Sequence, residues 1–432
     1  MSAITLHIGD VFEQLAKIPD GSIDLIVTSP PFLALRSYLP EDHPDKDLEI
    51  GSESGPAAFL DTMMALSAEW GRVLAPHGSL CVELGDTYSG SGGAGGDYNA
   101  DGLRDGQQKF TQSNRRDKVP VPRQNGGGPG WPLSKSKTML DTLYPACLAY
   151  GRNLLSGEVS PAGRWRIRNL IVWARPNPPA GALGDKFRPA TSYITVACKS
   201  AKRWFDLDAV RGPSVEPSLT RVGAASAGKG IDGGDSGNPD KLRPTANPAG
   251  APPLDWHADD HPEDGDWLWK MSPQGFAGSH YATFPIALPT RLIKAMCPER
   301  VCTVCGAPSK RITGEATYVN ASGEAVEPQV WQSGVTGGAG AHSSKARGDD
   351  ARSTRTAETV GWTDCGHNAW RTGRVLDPFA GSGTTLVAAH NESRDAIGID
   401  LDDRNVAMVE DRLGPLVAAC DLTVNTAQEA AA

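Results

Sequence analysis

The sequence predicts an α/β protein with a doubly wound, mostly parallel sheet, and two stretches near opposite ends of the chain carry this prediction. Near the C-terminal end, the apolar pair Val375–Leu376 leads into Asp377, a turn that contains two glycines, and a helix-forming run that starts at Thr384. A buried strand, a glycine turn and a helix in this order are typical of a nucleotide-binding α/β unit. Near the other end, the apolar run Leu25–Thr28 indicates a second buried strand.

The glycine turn has the features of a cofactor loop, because two glycines allow a sharp turn and leave room for a ligand against the main chain. A second acid, Asp400, ends the strand-like run Ala396–Ile399. It follows Asp377 by roughly 20 residues, the offset at which an acid meets a ribose hydroxyl in such folds. No lysine follows the second glycine, and no third glycine completes a dinucleotide pattern, which disfavours both a Walker-type NTPase and a dinucleotide site. A purely structural glycine turn remains an alternative.

The N-terminal strand runs into the tetrapeptide Ser29-Pro30-Pro31-Phe32. Successive prolines fix φ, donate no backbone hydrogen bonds and keep the chain extended beyond the sheet edge. Hydroxyl and carbonyl oxygens held in this way can accept hydrogen bonds from an exocyclic amino group, and the neighbouring ring can stack on a planar base. Taken alone, the same residues would also suit an ordinary strand-ending turn.

Together, Ser29-Pro30-Pro31-Phe32 and the segment from Asp377 to Gly383 resemble the paired signature of the DNA amino-methyltransferases that use S-adenosylmethionine. Because the tetrapeptide comes first and the glycine motif last, the order resembles the β class of these enzymes. The resemblance implies a Rossmann-like methyltransferase fold with a circularly permuted motif order, and catalytic roles for Ser29, Pro30, Pro31 and Phe32. The cofactor contacts it implies are at Asp10, Phe284, Pro285, Asp377, Phe379, Gly381, Gly383, Thr384, Thr385 and Asp400. Asp10 would equally serve as a helix N-cap.

Length and composition limit the size of the domain, the cellular compartment and the partners of the protein. The 432 residues suffice for one large α/β domain with additions, and 49 glycines and 33 prolines indicate abundant loops. Eight cysteines without disulfide-scaffold spacing, no visible signal peptide and no apolar run of membrane-spanning length favour a cytoplasmic protein and exclude a membrane partner. The resemblance implies a bacterial or phage-encoded protein. A net charge of −9 argues mildly against nucleic acid as a partner, although a single basic face would suffice.

The resemblance and the composition together divide the chain into eight segments. These are a catalytic half of the core (1–86), a glycine-rich basic insertion (87–137), core strands and a helix (138–209), a low-complexity insertion suited to target recognition (210–265), a pre-cofactor helix segment (266–300), a zinc knuckle with a long loop (301–370), the S-adenosylmethionine-binding half of the core (371–421) and a tail (422–432). Within the core, Met139–Leu155 predicts a helix, and the polar, alanine-rich tail is expected to fray.

The first insertion carries a local excess of positive charge in an acidic protein. Its candidate contacts to the DNA backbone are Arg115, Arg116, Lys118 and Arg123, because cations that neutralise phosphates dominate affinity for DNA. A solvated loop is the alternative interpretation.

A Cys-x-x-Cys pair at Cys302 and Cys305 is followed by Cys365 and His367. Three thiolates and an imidazole suit tetrahedral Zn²⁺, and a catalytic metal is not needed for amino methylation, so the site would be structural. The Cys-x-His spacing is tighter than that of most zinc fingers, which leaves Cys297 as a substitute ligand and unrelated reduced cysteines as a competing interpretation.

These features favour methyl transfer from S-adenosylmethionine to an exocyclic base amine of double-stranded DNA. In the family that this sequence resembles, serine at the first catalytic position is more frequent among cytosine-N4 enzymes, so the resemblance favours N4 of cytosine, with N6 of adenine as the alternative. A catalytically silent DNA-binding or specificity subunit is an alternative of another class, and an RNA or protein methyltransferase would resemble the opposite motif order. The recognition sequence, the oligomeric state and the existence of a cognate restriction endonuclease stay open at the level of sequence.

Overall fold

The computed structural model describes residues 2–35, 38–39, 42–89, 130–175, 187, 189–210, 269, 271, 284–314, 317–319, 325–326, 354–356, 359–414 and 420–425. The four basic residues proposed to contact DNA, at 115, 116, 118 and 123, lie outside these ranges, as does nearly all of the second insertion. Among the described residues, no helix is both long and apolar enough to cross a membrane.

The helices and strands follow the periodicity of the sequence closely through the core. The α-helices are α1 (Val11–Ala16), α2 (Pro56–Val73), α3 (Leu140–Tyr150), α4 (Ala287–Met296), α5 (Thr384–Asn391) and α6 (Asn405–Leu413). The strands are β1 (Ser2–Ile8), β2 (Ile23–Thr28), β3 (Leu74–Leu84), β4 (Arg166–Ala174), β5 (Thr191–Cys198), β6 (Arg300–Cys302), β7 (Arg311–Thr313), β8 (Thr317–Val319), β9 (Ala325–Val326), β10 (Thr354–Thr356), β11 (Thr359–Trp362), β12 (Trp370–Thr372), β13 (Arg374–Asp377), β14 (Asp395–Asp400) and β15 (Cys420–Asn425).

Eight strands form one sheet in the order β15-β1-β14-β13-β2-β3-β5-β4. The first six run parallel to one another, while β5 pairs antiparallel with both β3 and β4. The centre of the sheet therefore joins β13 from the C-terminal part of the chain to β2 from the N-terminal part, with Val375 opposite Leu25. The carboxyl ends of the two motif strands therefore lie side by side at one edge of the sheet.

Both faces of the sheet are covered, and every residue of the central strand β2 is buried, as expected for a strand in the middle of a parallel sheet. Side chains of β2 alternate between the two cores, with Leu25 and Val27 in one and Ile26 in the other. Helices α1, α2 and α3 pack on the second core, and α4, α5 and α6 pack on the first. The amphipathic pattern of α2 buries Trp70 completely in its core.

Three expectations from the sequence were wrong. The helix predicted over Met139–Leu155 ends at Tyr150, because Gly151 takes a left-handed conformation with φ of 68° and caps it. The tail does not simply fray after residue 421, since strand β15 runs to Asn425 and pairs with β1 at the edge of the sheet. The loop predicted between the zinc-ligand pairs contains short antiparallel ladders, β7 with β11 and β8 with β9 and β10.

Candidate active site

The two motifs meet at the carboxyl end of the central strands. The Thr28 hydroxyl, at the end of β2, donates a hydrogen bond of 2.8 Å to the Asp377 carboxylate at the end of β13. A cavity of about 390 Å³ opens there, within the ~300–1,000 Å³ typical of ligand pockets. Its walls include all four residues of the proline tetrapeptide together with Asp377, Pro378, Phe379, Ala380, Gly381 and Asp400.

The glycine turn passes between strand β13 and helix α5 with two residues in the left-handed region. Gly381 has φ of 50° and Gly383 has φ of 76°. A Cβ at Gly383 would approach Val409 of α6 to 3.1 Å, so both conformation and packing favour glycine there. The turn leaves Gly381 and Thr384 at the cavity wall, whereas Gly383 packs behind it.

Asp377 holds this turn in place. It is 2% exposed, and one carboxylate oxygen accepts from Thr28 and from the Phe379 backbone N–H, while the other accepts from the Thr385 hydroxyl at 2.6 Å. Burial raises the pKa of this carboxyl to about 6, and the hydrogen bonds partly offset that rise. Both oxygens already have protein partners, so the structure gives Asp377 and Thr385 a part in positioning the loop.

Asp400 faces the cavity from the end of β14. Its carboxylate accepts the Gly381 backbone N–H at 2.7 Å and also binds the Asp402 backbone and the Asn405 side chain. Burial raises the pKa of Asp400 to about 6. Asp400 is the acid whose spacing from Asp377 predicted a ribose contact. These hydrogen bonds fix it against the glycine turn, at the edge of the same cavity.

Ser29 has a partner that sequence reasoning missed. Its hydroxyl donates a hydrogen bond of 2.6 Å to the carboxylate of Glu83, which lies near the end of β3 and is 5% exposed. Burial raises the pKa of Glu83, an effect that the Ser29 hydrogen bond and the charge of Arg175 oppose. The available signal was an acid in the otherwise apolar run Leu80–Leu84, at the same sheet edge as Ser29.

The ring of Phe32 lies directly over Gly85. A Cβ at Gly85 would fall 2.5 Å from the Phe32 ring and within 3.2 Å of three of its carbons. The half-buried ring therefore occupies space that only glycine leaves open at this position. Phe32 is also a wall of the cavity, so the ring is placed where a planar ligand can stack on it.

Arg175 closes another side of the cavity, one residue beyond β4. Its guanidinium stacks 5.4 Å from the centre of the Trp173 ring, and one terminal nitrogen donates to the Thr191 carbonyl. The Nε atom is buried and has no hydrogen-bond partner among the residues that the structure describes. A buried donor of this kind costs free energy unless a ligand satisfies it.

Of the remaining predicted cofactor residues, the structure places some at the cavity wall and others away from it. Phe284 is a wall of the cavity, whereas Pro285 directly behind it is not. Asp10 caps helix α1, because its carboxylate accepts the backbone N–H groups of Phe12 and Glu13 at 3.0 Å. Its chain neighbours Gly9 and Val11 reach the cavity, so a contact of Asp10 with a bound cofactor stays a prediction.

The four predicted metal ligands also converge, away from this cavity. One ligand atom from each of Cys302, Cys305, Cys365 and His367 lies within 4.8 Å of the other three. Cys297, the substitute ligand considered from the sequence, is instead fully buried in the core beside α4.

The cavity residues fit S-adenosylmethionine, which combines a ribose, a planar base and a positively charged sulfonium. Asp400 and Asp402 offer carboxylates for hydroxyl groups, and Phe284 and Phe379 offer apolar walls for the base. An acidic lining is also favourable for a cation. The glycine turn brings backbone rather than side chains to the ligand, as nucleotide sites of α/β folds require.

Comparison with known proteins agrees with this arrangement. A family model described as DNA methylase, for the N6 and N4 enzymes, matches residues 23–303 and 370–411. The type II methyltransferase M.Cfr9I of Citrobacter freundii is 26% identical over 288 residues, which cover 67% of this chain and 71% of that protein. The type II methyltransferase M.XycI of Xanthomonas campestris pv. cyanopsidis is 24% identical over 410 residues, 95% of this chain and 87% of that protein.

Two solved structures are similar over most of the chain. The cytosine-N4-specific PvuII DNA methyltransferase is 15% identical with a TM-score of 0.45, covering 95% of this chain and 86% of that one. TTHA0409 of Thermus thermophilus, complexed with S-adenosyl-L-methionine, is 17% identical with a TM-score of 0.42, covering 98% and 99%.

Proposed function

The chain belongs to the N6/N4 DNA methylase family, and from this premise we propose that it methylates N4 of cytosine in duplex DNA. Membership of this family makes it an S-adenosylmethionine-dependent DNA amino-methyltransferase. The proposal concerns which base is methylated. The single observation that carries the proposal is that Ser29 and the glycine turn line one cavity. A donor and an acceptor can react only if one pocket holds both in line.

Ser29, Pro30 and Glu83 act on the amine. An exocyclic amine is a poor nucleophile because its lone pair is delocalised into the ring. The Glu83 carboxylate holds the Ser29 hydrogen at 2.6 Å, which leaves the oxygen lone pairs of Ser29 free to accept a hydrogen bond from the amine. The Pro30 carbonyl accepts the second amine hydrogen. Both contacts favour a geometry in which the nitrogen lone pair points out of the ring plane.

Glu83 also provides a destination for the proton. S-adenosylmethionine supplies a methyl group made electrophilic by its sulfonium, and the amine that accepts it must lose one proton. The Ser29 hydroxyl passes its own proton to Glu83 and receives the amine proton in return. Because burial raises the pKa of Glu83, this carboxylate is a better acceptor than an ordinary surface acid.

The opposite wall of the cavity holds the cofactor. Asp400 would bind the ribose hydroxyls with the acceptor capacity that Gly381, Asp402 and Asn405 leave unused. Phe284 and Phe379 would flank the cofactor's apolar surfaces. Since Asp400 and the glycine turn are held by hydrogen bonds before any ligand arrives, little reorganisation of these groups would be needed on binding.

The target base enters between Phe32 and Arg175. A base within the duplex hides its amine in the stack, so the enzyme must flip it out of the helix. Phe32 then stacks on one face of the base. The unpartnered Nε of Arg175 can donate to an acceptor on the base, such as O2 of cytosine or a ring nitrogen of adenine. Serine at the first catalytic position, which the family resemblance associates with cytosine-N4 enzymes, favours cytosine over adenine.

The partner is double-stranded DNA, and a type II modification system is the proposed setting because the similar proteins from Citrobacter and Xanthomonas are type II methyltransferases. Arg115, Arg116, Lys118 and Arg123 of the first insertion contact its backbone. Replacing Arg115 and Arg116 by glutamate should weaken DNA binding at all sequences, and reduce the slope of affinity against salt by about one for every phosphate that the protein no longer neutralises. An unchanged slope would remove these residues from the interface.

The test is transfer of labelled methyl to duplex DNA, followed by digestion to nucleosides and mass spectrometry. The proposal expects N4-methyldeoxycytidine, and N6-methyldeoxyadenosine would establish the alternative base. RNA and protein substrates in parallel reactions separate this activity from other methyl transfers. Absence of transfer by folded protein that binds S-adenosylmethionine would favour the catalytically silent subunit.

Two variants test the residue roles within the same assay. Ser29→Ala should lower turnover while leaving the affinity for S-adenosylmethionine nearly unchanged. Asp400→Ala should mainly weaken cofactor affinity. Ser22→Ala is a matched control, because the Ser22 hydroxyl only bonds the Pro19 carbonyl at the opposite end of β2. Equal loss of cofactor binding in the first two variants would contradict these assignments.

A further inference from the structure

The cysteine and histidine cluster lies beside a short antiparallel pair of strands, β6 and β12, and we define the Cys3His cluster as Cys302, Cys305, Cys365 and His367. In this β6–β12 pair, Trp370 is opposite Cys302 and Thr372 is opposite Arg300. The Thr303 backbone N–H also donates to the Ala369 carbonyl at 3.0 Å. The two halves of the cluster, more than 60 residues apart in sequence, are therefore brought together by backbone pairing.

The geometry of the cluster matches a tetrahedral zinc site. With Zn–S of about 2.3 Å and Zn–N of about 2.0–2.1 Å, tetrahedral angles would place sulfur and nitrogen about 3.6 Å apart. The His367 Nδ1 atom lies 3.6 Å from the Cys302 sulfur and 3.4 Å from the Cys365 sulfur. All four ligand atoms lie within 4.8 Å of one another, so one ion can reach every member.

The local backbone is shaped for this arrangement. The Cys302 carbonyl accepts the Gly306 N–H and the Cys302 N–H donates to the Ala307 carbonyl, which turns the chain tightly around the first pair. The Val304 N–H points at the Cys302 sulfur at 3.4 Å. Such a contact favours a thiolate, the form that binds metal. Without a metal ion, three thiols and an imidazole packed this closely would stabilise the protein little.

Strand β12 is also joined to the amino end of β2, the strand that leads into the catalytic tetrapeptide. Arg371, in the middle of β12, binds both carboxylate oxygens of Asp24 at 2.6 and 2.9 Å. Asp24 is fully buried near the start of β2 and also accepts from the His77 ring and the Arg374 backbone. Ser29 lies at the opposite end of the same strand, roughly 16 Å away at ~3.3 Å per residue.

We propose that the Cys3His cluster binds one structural Zn²⁺ that holds strands β6 and β12 together. The ion thereby keeps Arg371 against Asp24 at the amino ends of the central strands. The ion replaces one proton on each of the three thiols, which are released to solvent on binding. It acts on the stability of the sheet and takes no part in methyl transfer.

The first experiment measures metal directly on the full chain, without DNA or cofactor. Protein purified without chelators should contain about one zinc per chain by elemental analysis. Refolding with Co²⁺ should produce the absorption of cobalt bound to thiolates in a tetrahedral field. Cys305→Ser with Cys365→Ser should abolish both signals, and since both side chains are exposed, this double variant leaves the buried core intact.

Val304→Ser provides the matched control, because Val304 is 65% exposed between the two ligands and contributes no side-chain donor to the cluster. It should retain wild-type zinc. Metal content in the wild-type protein no greater than in the double variant would overturn the proposal, as would a disulfide within the cluster in place of the metal.

The second experiment separates a structural from a catalytic metal. Chelation should lower the melting temperature by about 5 °C or more, and Zn²⁺ should restore it. Below that temperature, the affinity for S-adenosylmethionine should change less than about twofold, because the cluster and the cofactor cavity lie at opposite ends of the strands. A melting temperature unaffected by chelation would refute the anchoring role. Failure of the methylation assay would leave both readouts unchanged, so the two proposals can fail separately.

Discussion

Replacing Gly85 by alanine tests whether the position of the Phe32 ring matters for the target base. The new Cβ would lie 2.5 Å from the ring, about 1 Å closer than carbon atoms pack at their optimum. The backbone at Gly85 needs no left-handed conformation, and Phe32 is only half-buried. We therefore expect the ring to move aside, with little cost to the stability of the fold.

The loss should appear in the use of DNA. Base–aromatic stacking is worth ~1–3 kcal/mol, which corresponds to a roughly 5- to 150-fold lower kcat/KM at about 1.4 kcal/mol per factor of ten. The assay is methyl transfer to duplex DNA at limiting substrate, with S-adenosylmethionine affinity and melting temperature measured in parallel. Both of these should stay close to wild type.

Gly361→Ala is the matched control, because nothing lies within 4 Å of a Cβ at that position. Wild-type kcat/KM in Gly85→Ala would refute the placement of the base on Phe32. A large drop in melting temperature would instead assign Gly85 a role in folding. The stacking of the base on Phe32 would then be tested with Phe32→Leu.

Glu83→Gln should lower kcat roughly 100-fold and remove the acid limb of the pH profile of kcat. Because burial raises the Glu83 pKa, that limb in the wild type should lie above the ordinary pKa of a glutamate, and an unchanged profile would exclude the proton-acceptor role. The affinity for S-adenosylmethionine should fall as pH drops through about 6, since protonation of Asp400 removes its charge and part of its acceptor capacity; calorimetric titration should find weaker binding and a smaller pH dependence in Asp400→Asn. Arg371→Met should lower the free energy of unfolding by about 3–5 kcal/mol in urea titrations, because it removes the guanidinium partner of the buried Asp24 charge and leaves it only the His77 ring and the Arg374 backbone N–H. A loss below about 1 kcal/mol would show that this ion pair contributes no more than a surface pair.

Local chemistry let the sequence predict most of the elements that build the site. The strands that end at Thr28, Asp377 and Asp400 were visible because apolar runs, prolines and glycines act over a few residues. The tetrapeptide at 29–32 and the glycine turn were found by the same signals. The four members of the Cys3His cluster could also be named, since the spacing of thiols is a property of the sequence alone.

Other features depended on contacts between distant segments. The acid in the apolar run Leu80–Leu84 sets Glu83 apart in the sequence, but its pairing with Ser29 could not be predicted, because the parallel pairing of β2 with β3 decides which side chains share the sheet edge. Strand β15 was missed because a short run between polar residues becomes a strand only when β1 offers it an edge. The positioning role of Asp377 likewise required knowledge of which hydroxyls reach its oxygens.

The sequence by itself determined which residues could perform the chemistry, since hydroxyl, carboxylate, thiolate and aromatic groups and their spacing are written in it. Only the tertiary structure decided which of them act together. Thr28 meets Asp377 across 349 positions, and Asp24 meets Arg371 across 347. Such pairings follow from strand order in the sheet, which is fixed by burial of apolar faces over the whole chain rather than by any local preference.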